Sequence, residues 1–260
     1  MGRCIVVTSG KGGVGKSTIT ATLGMAMAEA GAKVALVDAD VGLNNLDLVL
    51  GLEGAVSYDV GDVEKGRCRL TEALVRHPFS ENLFLLSSRA LGGGSLSQKT
   101  FSGVIAALRR SFDYVLIDCP AGIDEGFHRA VSSADEALIV TTPVPASVRD
   151  ADKVSDLLSA YRLRRVEVIV NRVRGDLVMK GDALGVADVR SVLRLPVVGS
   201  VPEDDEVLLS ATVGKITDSE SRHYRAVCMI ASHIMLGTND LYDCTARYRG
   251  FFGFFRKTAR

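Results

Sequence analysis

A glycine-rich stretch near the start, RCIVVTSGKGGVGKST at residues 3–18, constrains the fold more than any other part of the sequence. The apolar, β-branched run Cys4–Thr8 predicts a buried strand, and Ser17–Glu29 has the apolar spacing of a helix. Between them, Gly10–Ser17 match the P-loop pattern of Gly, four residues, Gly-Lys-Ser. A strand, a glycine loop and a helix in this order are the context that the motif requires, so the stretch predicts a phosphate-binding loop.

The residue types in this loop suit phosphate chemistry. Glycines let backbone N–H groups close around phosphate oxygens where a Cβ would clash, and the helix N-terminus adds partial positive charge. We expect Lys16 to reach the β- and γ-phosphates of a nucleotide and the Ser17 hydroxyl to hold Mg²⁺. The expected nucleotide contacts of the loop are Gly10, Lys11, Gly12, Gly13, Val14, Gly15, Lys16, Ser17 and Thr18. A glycine-rich turn without a ligand is the alternative, and the complete strand–loop–helix context argues against it.

Composition restricts the class of protein. The chain has 260 residues, 47% hydrophobic and 24% charged, which suits one large α/β domain with a substantial core. Basic and acidic residues both number 31, so we expect no general attraction to nucleic acid and no specific nucleic-acid partner. Five scattered cysteines without a C-x-x-C pair indicate reduced thiols in a cytosol and argue against a disulfide framework or a zinc or iron–sulfur site. The first residues lead directly into the first predicted strand, so we expect no secretory signal, and no apolar run is long enough to span a bilayer.

Aspartates follow two further predicted strands. Asp38 and Asp40 lie in the sequence VDAD after one apolar run, and Asp118 ends another, DYVLID. Ligands of open α/β sheets bind at the carboxyl ends of the strands. Asp38 and Asp118 are therefore candidate Mg²⁺ ligands beside Ser17. The pair Asp38 and Asp40 could serve both Mg²⁺ and the attacking water, and a turn or helix-capping role is the alternative for these two aspartates.

Strands alternate with helices along the rest of the chain, which predicts a doubly wound, mostly parallel sheet flanked by helices. Further strands are expected at 83–86, 136–141, 166–171 and 197–201, and helices at 97–110, 182–193 and 219–236. Short helices and loops are expected at 52–80, a flexible loop at 90–94 and a polar loop at 172–181. His77 precedes a proline, and we expect it in an extended or turn segment at the surface.

The C-terminal tail, residues 244–260, differs in composition from the rest of the chain. We expect a P-loop domain at 1–236, a linker at 237–243 and this tail as a separate amphipathic segment. The tail contains five basic residues, four phenylalanines and no acid. On a helical wheel its aromatic residues group on one face and most of its basic residues on the other, which is typical of a helix lying in an anionic membrane surface. A helix docked on the protein's own core is the alternative, and the expected membrane contacts are Phe251, Phe252, Phe254, Phe255, Arg256 and Lys257.

Lys11 is unusual, because an ordinary P-loop does not need a lysine directly after its first glycine. The segments GKGGVGKST, VDADVGLNNLDL, IDCPAG, SVRDAD and VPEDD resemble the MinD/ParA family of deviant Walker A ATPases, and most closely its MinD branch. The resemblance extends from about residue 2 to the C-terminus and includes the tail, which departs from the family pattern because it is rich in phenylalanine and interrupted by glycine. It implies ATP, ADP and Mg²⁺ as cofactors and an ATP-dependent homodimer in which Lys11 reaches the other subunit's phosphates. Lys11, Lys16 and Asp40 are then the expected catalytic residues, and a solvated loop lysine is the alternative for Lys11.

The same resemblance assigns roles by position. Residues 42–47 would form switch I, with Asn45 near the γ-phosphate side of the dimer interface, and turn chemistry is the alternative for Asn44 and Asn45. Residues 118–126 would form switch II, with the Gly122 N–H directed at the γ-phosphate. The expected adenine contacts are Asn171, Pro202 and Asp204.

The segment SVRD at 147–150 would lie near the dimer interface and the partner-binding surface. A helix N-terminus with Ser147 as its N-cap is the alternative, and both roles are compatible.

At the level of function, the resemblance implies slow, partner-stimulated ATP hydrolysis by a cytoplasmic protein that attaches to the inner face of the cell membrane. It further implies a MinC-like division inhibitor as one partner and a MinE-like or polar landmark protein as regulator. A ParA-type DNA-partitioning ATPase and a flagellar-placement ATPase are the alternatives within the family. A nucleotide-gated scaffold without hydrolysis is the non-enzymatic alternative, against which the VDAD and IDCPAG segments argue.

Overall fold

The computed structural model describes residues 1–40, 45–88, 96–207 and 220–249. Within them, eight strands form one sheet in the order β3-β4-β2-β5-β1-β6-β7-β8. Every neighbouring pair is parallel except β3 with β4, so the predicted mostly parallel, doubly wound sheet is confirmed. The strands are β1 (Arg3–Thr8), β2 (Val34–Asp38), β3 (Val75–Arg76), β4 (Leu83–Leu86), β5 (Tyr114–Asp118), β6 (Glu136–Thr141), β7 (Arg165–Val173) and β8 (Val197–Pro202).

Helices cover both faces of this sheet. They are α1 (Lys16–Glu29), α2 (Leu46–Val49), α3 (Val60–Glu64), α4 (Leu70–Ala73), α5 (Gln98–Leu108), α6 (Glu125–Ser132), α7 (Pro145–Leu158), α8 (Gly175–Lys180), α9 (Val186–Leu193) and α10 (Arg222–Leu236), followed by a 3₁₀ turn at Ala246–Tyr248. Alternate residues of β1 show the division: Cys4 and Val6 pack with α5, α6, α7 and α9, whereas Ile5 and Val7 pack with α1, α2 and α10. The strands are buried on both faces, which explains their nearly continuous apolar sequences.

Helix α1 is the most enclosed of these elements. Each residue from Ile19 to Ala28 is buried, because α1 lies between the sheet and α10. A helix that is apolar on every side needs such a position. The P-loop helix is therefore held in place by core packing along its length.

Helix α7 begins earlier than the proposed serine cap. Val144 is its N-cap and Pro145 its first residue, so the alternative assignment of Ser147 as N-cap is wrong. Proline is favoured at this position, because its fixed φ suits the helix and its missing N–H would have no helical partner. Ser147 lies within the first turn, where its buried Oγ accepts a hydrogen bond from the Thr142 N–H at 3.4 Å.

Two further expectations about polar segments are wrong. His77 is buried, not exposed: its N–H donates to the Leu83 carbonyl at 2.9 Å, and its Nδ1 accepts from the Phe79 N–H at 3.3 Å. His77 directly follows the short strand β3, which pairs with β4, and burial lowers the pKa of His77. The polar loop expected at 172–181 instead contains α8, which ends at Gly181 in the left-handed conformation.

The start of the tail packs against the domain. Cys244 is buried, with its Sγ 3.1 Å from the Ser200 Oγ of β8. At Gly175 a Cβ would lie 1.9 Å from the Cys244 carbonyl oxygen, so only glycine allows α8 to approach this segment so closely. The backbone at Arg249 is extended. The 3₁₀ turn at Ala246–Tyr248 therefore lies beside α8.

Several predictions concern segments outside the described residues. These are the first half of switch I at 42–44, the loop at 90–94, and the six membrane contacts between 251 and 257. Among the residues that are described, no helix is both long enough and apolar enough to cross a membrane.

Candidate functional site

The predicted P-loop lies between β1 and α1, at the carboxyl edge of the sheet. Gly15 precedes α1 with a φ of 90°, and a Cβ there would lie 2.4 Å from the Asn171 Nδ2. Gly10 is required for a different close approach, because a Cβ there would lie 2.3 Å from the Asp150 carbonyl oxygen of α7. Gly12 and Gly13 have nothing within 4 Å of a Cβ position, so that side of the loop is open. The loop thus packs against Asp150 and Asn171 on one side and is accessible to a ligand on the other.

Lys16 is held at the end of β5. Its Nζ lies 2.8 Å from the Asp118 Oδ1, and the Thr20 hydroxyl donates to the same oxygen at 3.1 Å. Both charged side chains are largely buried, so their ion pair fixes the ammonium at the mouth of the P-loop. The interaction unites two residues that are 102 positions apart in the sequence.

Two aspartates end adjacent strands at the same level. Asp38 of β2 is in register with Asp118 of β5. The Asp38 carboxylate accepts hydrogen bonds from the N–H groups of Asp40 at 3.0 Å and Leu46 at 3.2 Å. Burial, with the neighbouring Asp118 carboxylate, raises the pKa of Asp38 to about 7. Two crowded carboxylates at strand ends form an oxygen donor set suited to Mg²⁺.

This donor set is small. Nowhere in the described ranges do three or more His, Cys, Asp or Glu side chains cluster closely enough to hold a metal ion. The predicted third ligand, Ser17, lies in the first turn of α1. Two carboxylates and a hydroxyl leave positions for phosphate oxygens and water, which is how Mg²⁺ is commonly held beside nucleotides.

Asp40 and the switch II segment lie at the same edge of the sheet. The half-buried Asp40 follows β2 and lines a cavity of about 230 Å³ together with Pro120 of switch II. Gly122 has a φ of 95°, a backbone conformation that favours glycine. Lys11 is exposed, and its carbonyl accepts a hydrogen bond from the Ser9 hydroxyl at 3.1 Å.

The expected adenine contacts meet in one cavity. Asn171, Pro202 and Asp204 line a space of about 320 Å³ beside Gly15 and Thr18 of the P-loop. The Asn171 Nδ2 donates a hydrogen bond to the Val14 carbonyl at 2.8 Å. This orientation leaves the Asn171 Oδ1 as an acceptor, since an amide has one oxygen and one NH₂ group.

The structure adds two residues that the sequence did not single out. Arg172, with a φ of 56°, and His223 of α10 line the same cavity. Burial lowers the pKa of His223 to about 4, and its Nε2 lies 3.3 Å from the Thr22 hydroxyl. Neither residue belongs to a recognisable motif, so only the folded arrangement identifies them.

The first turns of helix α7 contact the P-loop on one side and are exposed on the other. Its SVRD segment includes Asp150, whose carbonyl oxygen faces Gly10, and the exposed Arg149. Two apolar side chains, Ile123 after β5 and Val144 after β6, are 57% and 53% exposed near this edge of the sheet. Both follow strands whose carboxyl ends form this edge, so they are accessible to a second molecule there.

Comparison with known proteins supports a nucleotide-binding function. Residues 5–216 match the family model described as the CobQ/CobB/MinD/ParA nucleotide binding domain. The chain is 44% identical over 216 residues to the septum site-determining protein MinD of Synechocystis sp., covering 83% of this chain and 79% of that protein.

Two solved structures are similar over most of the chain. A chain of the MinC:MinD cell division protein complex of Aquifex aeolicus has a TM-score of 0.85 and 39% identity, covering 92% of this chain and 97% of that one. The septum site-determining protein MinD of Pyrococcus horikoshii, complexed with Mg-ADP, has a TM-score of 0.78 and 29% identity, covering 91% and 97%.

Proposed function

The chain belongs to the CobQ/CobB/MinD/ParA family of nucleotide-binding domains, and from this premise we propose that it is a MinD-type ATPase that helps to place the division site. In this proposal its ATP-bound form dimerises, attaches to the membrane and recruits a division inhibitor. Hydrolysis, stimulated by a partner, releases it. One observation carries the proposal: the P-loop, Lys16 and two strand-end aspartates lie at the same edge of the sheet as the cavity lined by Asn171, Pro202 and Asp204, which we call the base cavity.

The residues present fit a magnesium-bound adenine nucleotide. Backbone N–H groups of residues 10–18 would hold the phosphates, with Lys16 adding positive charge. Ser17, Asp38 and Asp118 would hold the Mg²⁺, whose charge, when it is bound, neutralises the phosphates. Since Lys16 is paired with Asp118, phosphate oxygens would compete for an ammonium that is already positioned.

The base cavity has a donor and acceptor arrangement suited to adenine. With Nδ2 committed to Val14, the Asn171 Oδ1 can accept a hydrogen bond from an exocyclic amine. Guanine carries a carbonyl at the corresponding position and would present a second acceptor to that oxygen. The loop with Pro202 and Asp204 would close the other side of the base.

For hydrolysis, Asp40 would orient the attacking water and the Gly122 N–H would contact the γ-phosphate. The exposed Lys11 is free of the core and would act on the phosphates of a second subunit. Catalysis of this type consists mainly of positioning and charge neutralisation, so a dimer that supplies Lys11 would assemble the reactive site. The exposed Ile123 and Val144 would be covered in that dimer.

Membrane attachment would follow from dimerisation. A single tail with four phenylalanines and a few basic residues would bind an anionic surface weakly, since ordering it costs roughly 1–2 kcal/mol per residue in backbone entropy. Two linked tails can gain about 10²–10⁴ in avidity without a new contact. The contacts would be those at residues 251–257, beyond the packed segment at Cys244.

The partner proposal relies on the structural relative. The similar Aquifex chain is part of a MinC:MinD complex, which favours a MinC-like inhibitor for this chain. Within the SVRD segment of α7, the exposed Arg149 and the half-buried Asp150 are our proposed partner surface, since the other two residues are buried. A MinE-like or polar landmark protein would regulate hydrolysis.

Liposome co-sedimentation tests the proposal. The full chain is incubated with anionic vesicles and ATP, ADP or no nucleotide, beside a DNA-binding assay at matched salt. We expect sedimentation with ATP alone, and its loss both in Lys16→Ala and in a chain that ends at Arg249. Equal sedimentation with ATP and ADP would contradict the avidity account. ATP-dependent DNA binding with a steep salt dependence would instead favour a DNA-partitioning ATPase.

A further inference from the structure

His223, near the N-terminus of α10, is a buried histidine to which the proposed function assigns no role. Only 2% of its surface is exposed, and it lines the base cavity together with Thr18. In the described part of the chain no group forms a hydrogen bond with its Nδ1. Because Nδ1 is not sealed from solvent, as the unpartnered Nε of Arg129 is, the small accessible part of His223 includes this atom. A polar ring atom without a partner in a binding cavity is a candidate ligand contact.

The contacts of Thr22 decide which ring nitrogen of His223 carries the proton. The Nε2 of His223 lies 3.3 Å from the Thr22 hydroxyl oxygen. That hydroxyl has one proton, and its oxygen lies 2.8 Å from the Thr18 carbonyl oxygen and 3.4 Å from that of Ile19. Donation to the carbonyl four residues earlier is a common bond of a helical threonine. The hydroxyl oxygen can then only accept from His223, so Nε2 carries the proton and Nδ1 has a free lone pair.

The surroundings keep this ring neutral. Burial lowers the pKa of His223 to about 4, so Nδ1 is unprotonated at neutral pH. The carboxylate of Asp204, which would favour the protonated ring, is itself paired with Arg222, with 3.5 Å between Oδ1 and Nη2. In the same cavity, Asn171 commits its Nδ2 to the Val14 carbonyl and keeps Oδ1 as an acceptor. The cavity thus has two buried neutral acceptors, which favours a ligand that carries donors.

We propose that His223 is a specificity-determining residue of the base cavity, where its Nδ1 accepts a hydrogen bond from an N–H or O–H group of the bound nucleoside. The inference rests on the proposed nucleotide site and adds to it a residue outside the recognised motifs. Phosphate groups present acceptor oxygens, so the partner of Nδ1 belongs to the nucleoside. Adenosine offers the exocyclic amine of the base and the hydroxyls of the ribose, and analogues that lack one of these donors identify which of them His223 contacts.

Two substitutions separate the ligand contact from the contact with Thr22. The side-chain amide of glutamine reaches the position of a histidine Nε2, so His223→Gln keeps a donor for Thr22 and lacks an acceptor at the Nδ1 position. The shorter asparagine places its amide near the Nδ1 position, so His223→Asn keeps the acceptor and loses the contact with Thr22. The control is Arg225→Gln, an exposed position on the same helix.

Calorimetry with ADP measures the contact without the dimerisation that we propose for ATP. We expect His223→Gln to bind ADP about two- to tenfold more weakly than the wild type, the factor that corresponds to one neutral hydrogen bond, and to bind pyrophosphate equally well. Its urea midpoint at neutral pH should match that of the wild type. His223→Asn should unfold at a lower urea concentration and keep its affinity for ADP. Arg225→Gln should match the wild type in nucleotide affinity.

The analogues then identify the donor. If Nδ1 binds the amine, purine riboside diphosphate should bind the wild type and His223→Gln equally. If it binds a ribose hydroxyl, 2′-deoxyADP or 3′-deoxyADP should do so instead, and either result supports the inference.

Three results would overturn the inference. They are equal ADP affinity in the wild type and His223→Gln, an equal loss of affinity for ADP and pyrophosphate, and a difference between the two proteins that persists with every analogue. NMR spectra of the ring nitrogens that show the Nδ1–H tautomer would overturn it as well. A wild type that binds ADP but never hydrolyses ATP, even on membranes, would overturn the proposed ATPase function alone, because this contact requires only nucleotide binding.

Discussion

Replacing Asn171 with alanine would test how the P-loop and the base cavity depend on one amide. The Asn171 Nδ2 donates to the Val14 carbonyl at 2.8 Å, is buried, and lies where a Cβ on Gly15 would clash. The same side chain lines the base cavity with its Oδ1 as the remaining acceptor. The substitution therefore removes a support of the loop and a predicted contact of the base together.

The magnitude follows from these contacts. Leaving the buried Val14 carbonyl without a donor costs about 1–3 kcal/mol, and this loss should appear in the free energy of unfolding. A loosened loop must be ordered when phosphates bind, so phosphate affinity should fall by up to about 100-fold, the factor that corresponds to 3 kcal/mol. Loss of the base hydrogen bond should weaken ATP by a further factor of roughly two to ten, from 0.5–1.5 kcal/mol.

Three ligands separate the two effects. Calorimetry with tripolyphosphate measures the affinity of the loop for phosphates alone. ATP adds a base with an exocyclic amine at the tested position, and GTP adds a base that lacks an amine there. We expect Asn171→Ala to weaken all three, and ATP more than GTP. The control is Asn239→Ala, an exposed asparagine beyond α10 that should change neither stability nor affinity. Unchanged stability together with unchanged tripolyphosphate affinity would refute the loop-anchoring argument, and equal losses for ATP and GTP would refute the base contact.

Three other predictions follow from the site and the tail. Asp40→Ala should keep ATP binding and trap the dimer, so light scattering should stay high while phosphate release stops. Steady hydrolysis in this variant would show that Asp40 has no role in the mechanism. Since the pKa of His223 is about 4 in the fold and about 6.5 in an unfolded chain, the unfolded state takes up the proton first as pH falls. The stability that this group contributes is thus present above about pH 6.5 and is lost as the pH falls toward 4. In urea unfolding, His223→Gln should lose less of its free energy of unfolding over this pH range than the wild type. An identical loss in both proteins would contradict the prediction. A chain ending at Arg249 should unfold like the full chain. A chain ending at Tyr242 should lose about 1–3 kcal/mol of its free energy of unfolding, because the buried Cys244 is removed. Equal melting temperatures of the two truncated chains would show that this segment does not stabilise the domain.

The parts of the fold that follow local rules could be predicted from the sequence. The P-loop motif, the apolar strand runs and the aspartates at their ends predict the sheet and the edge where its site lies, and the resemblance to the MinD/ParA family is confirmed by the family match. His77 was misplaced because a two-residue strand, β3, is too short to give a periodic signal. Ser147 was misplaced because Pro145 is a stronger determinant of where α7 begins.

The parts of the site that depend on packing between distant segments could not be predicted. Nothing in the sequence shows that Gly10 faces the carbonyl of Asp150, or that Asn171 supports the loop by bonding Val14. The burial of Arg129 is equally invisible, because a helix of eight residues with a mixed sequence does not reveal what covers its arginine. Contacts of this kind arise from how β-strand ends and helix starts meet in space.

Measuring the mass of the protein in solution tests the central claim most directly. Multi-angle light scattering of the wild type, Lys11→Ala and Lys16→Ala, each with Mg-ATP and with Mg-ADP, is paired with a nucleotide-binding measurement on the same samples. The account predicts that the wild type doubles its mass with ATP alone. It predicts that Lys16→Ala fails to bind ATP and that Lys11→Ala binds ATP yet stays monomeric. A Lys11→Ala variant that dimerises with ATP, or a wild type with the same mass in ATP and ADP, would contradict it.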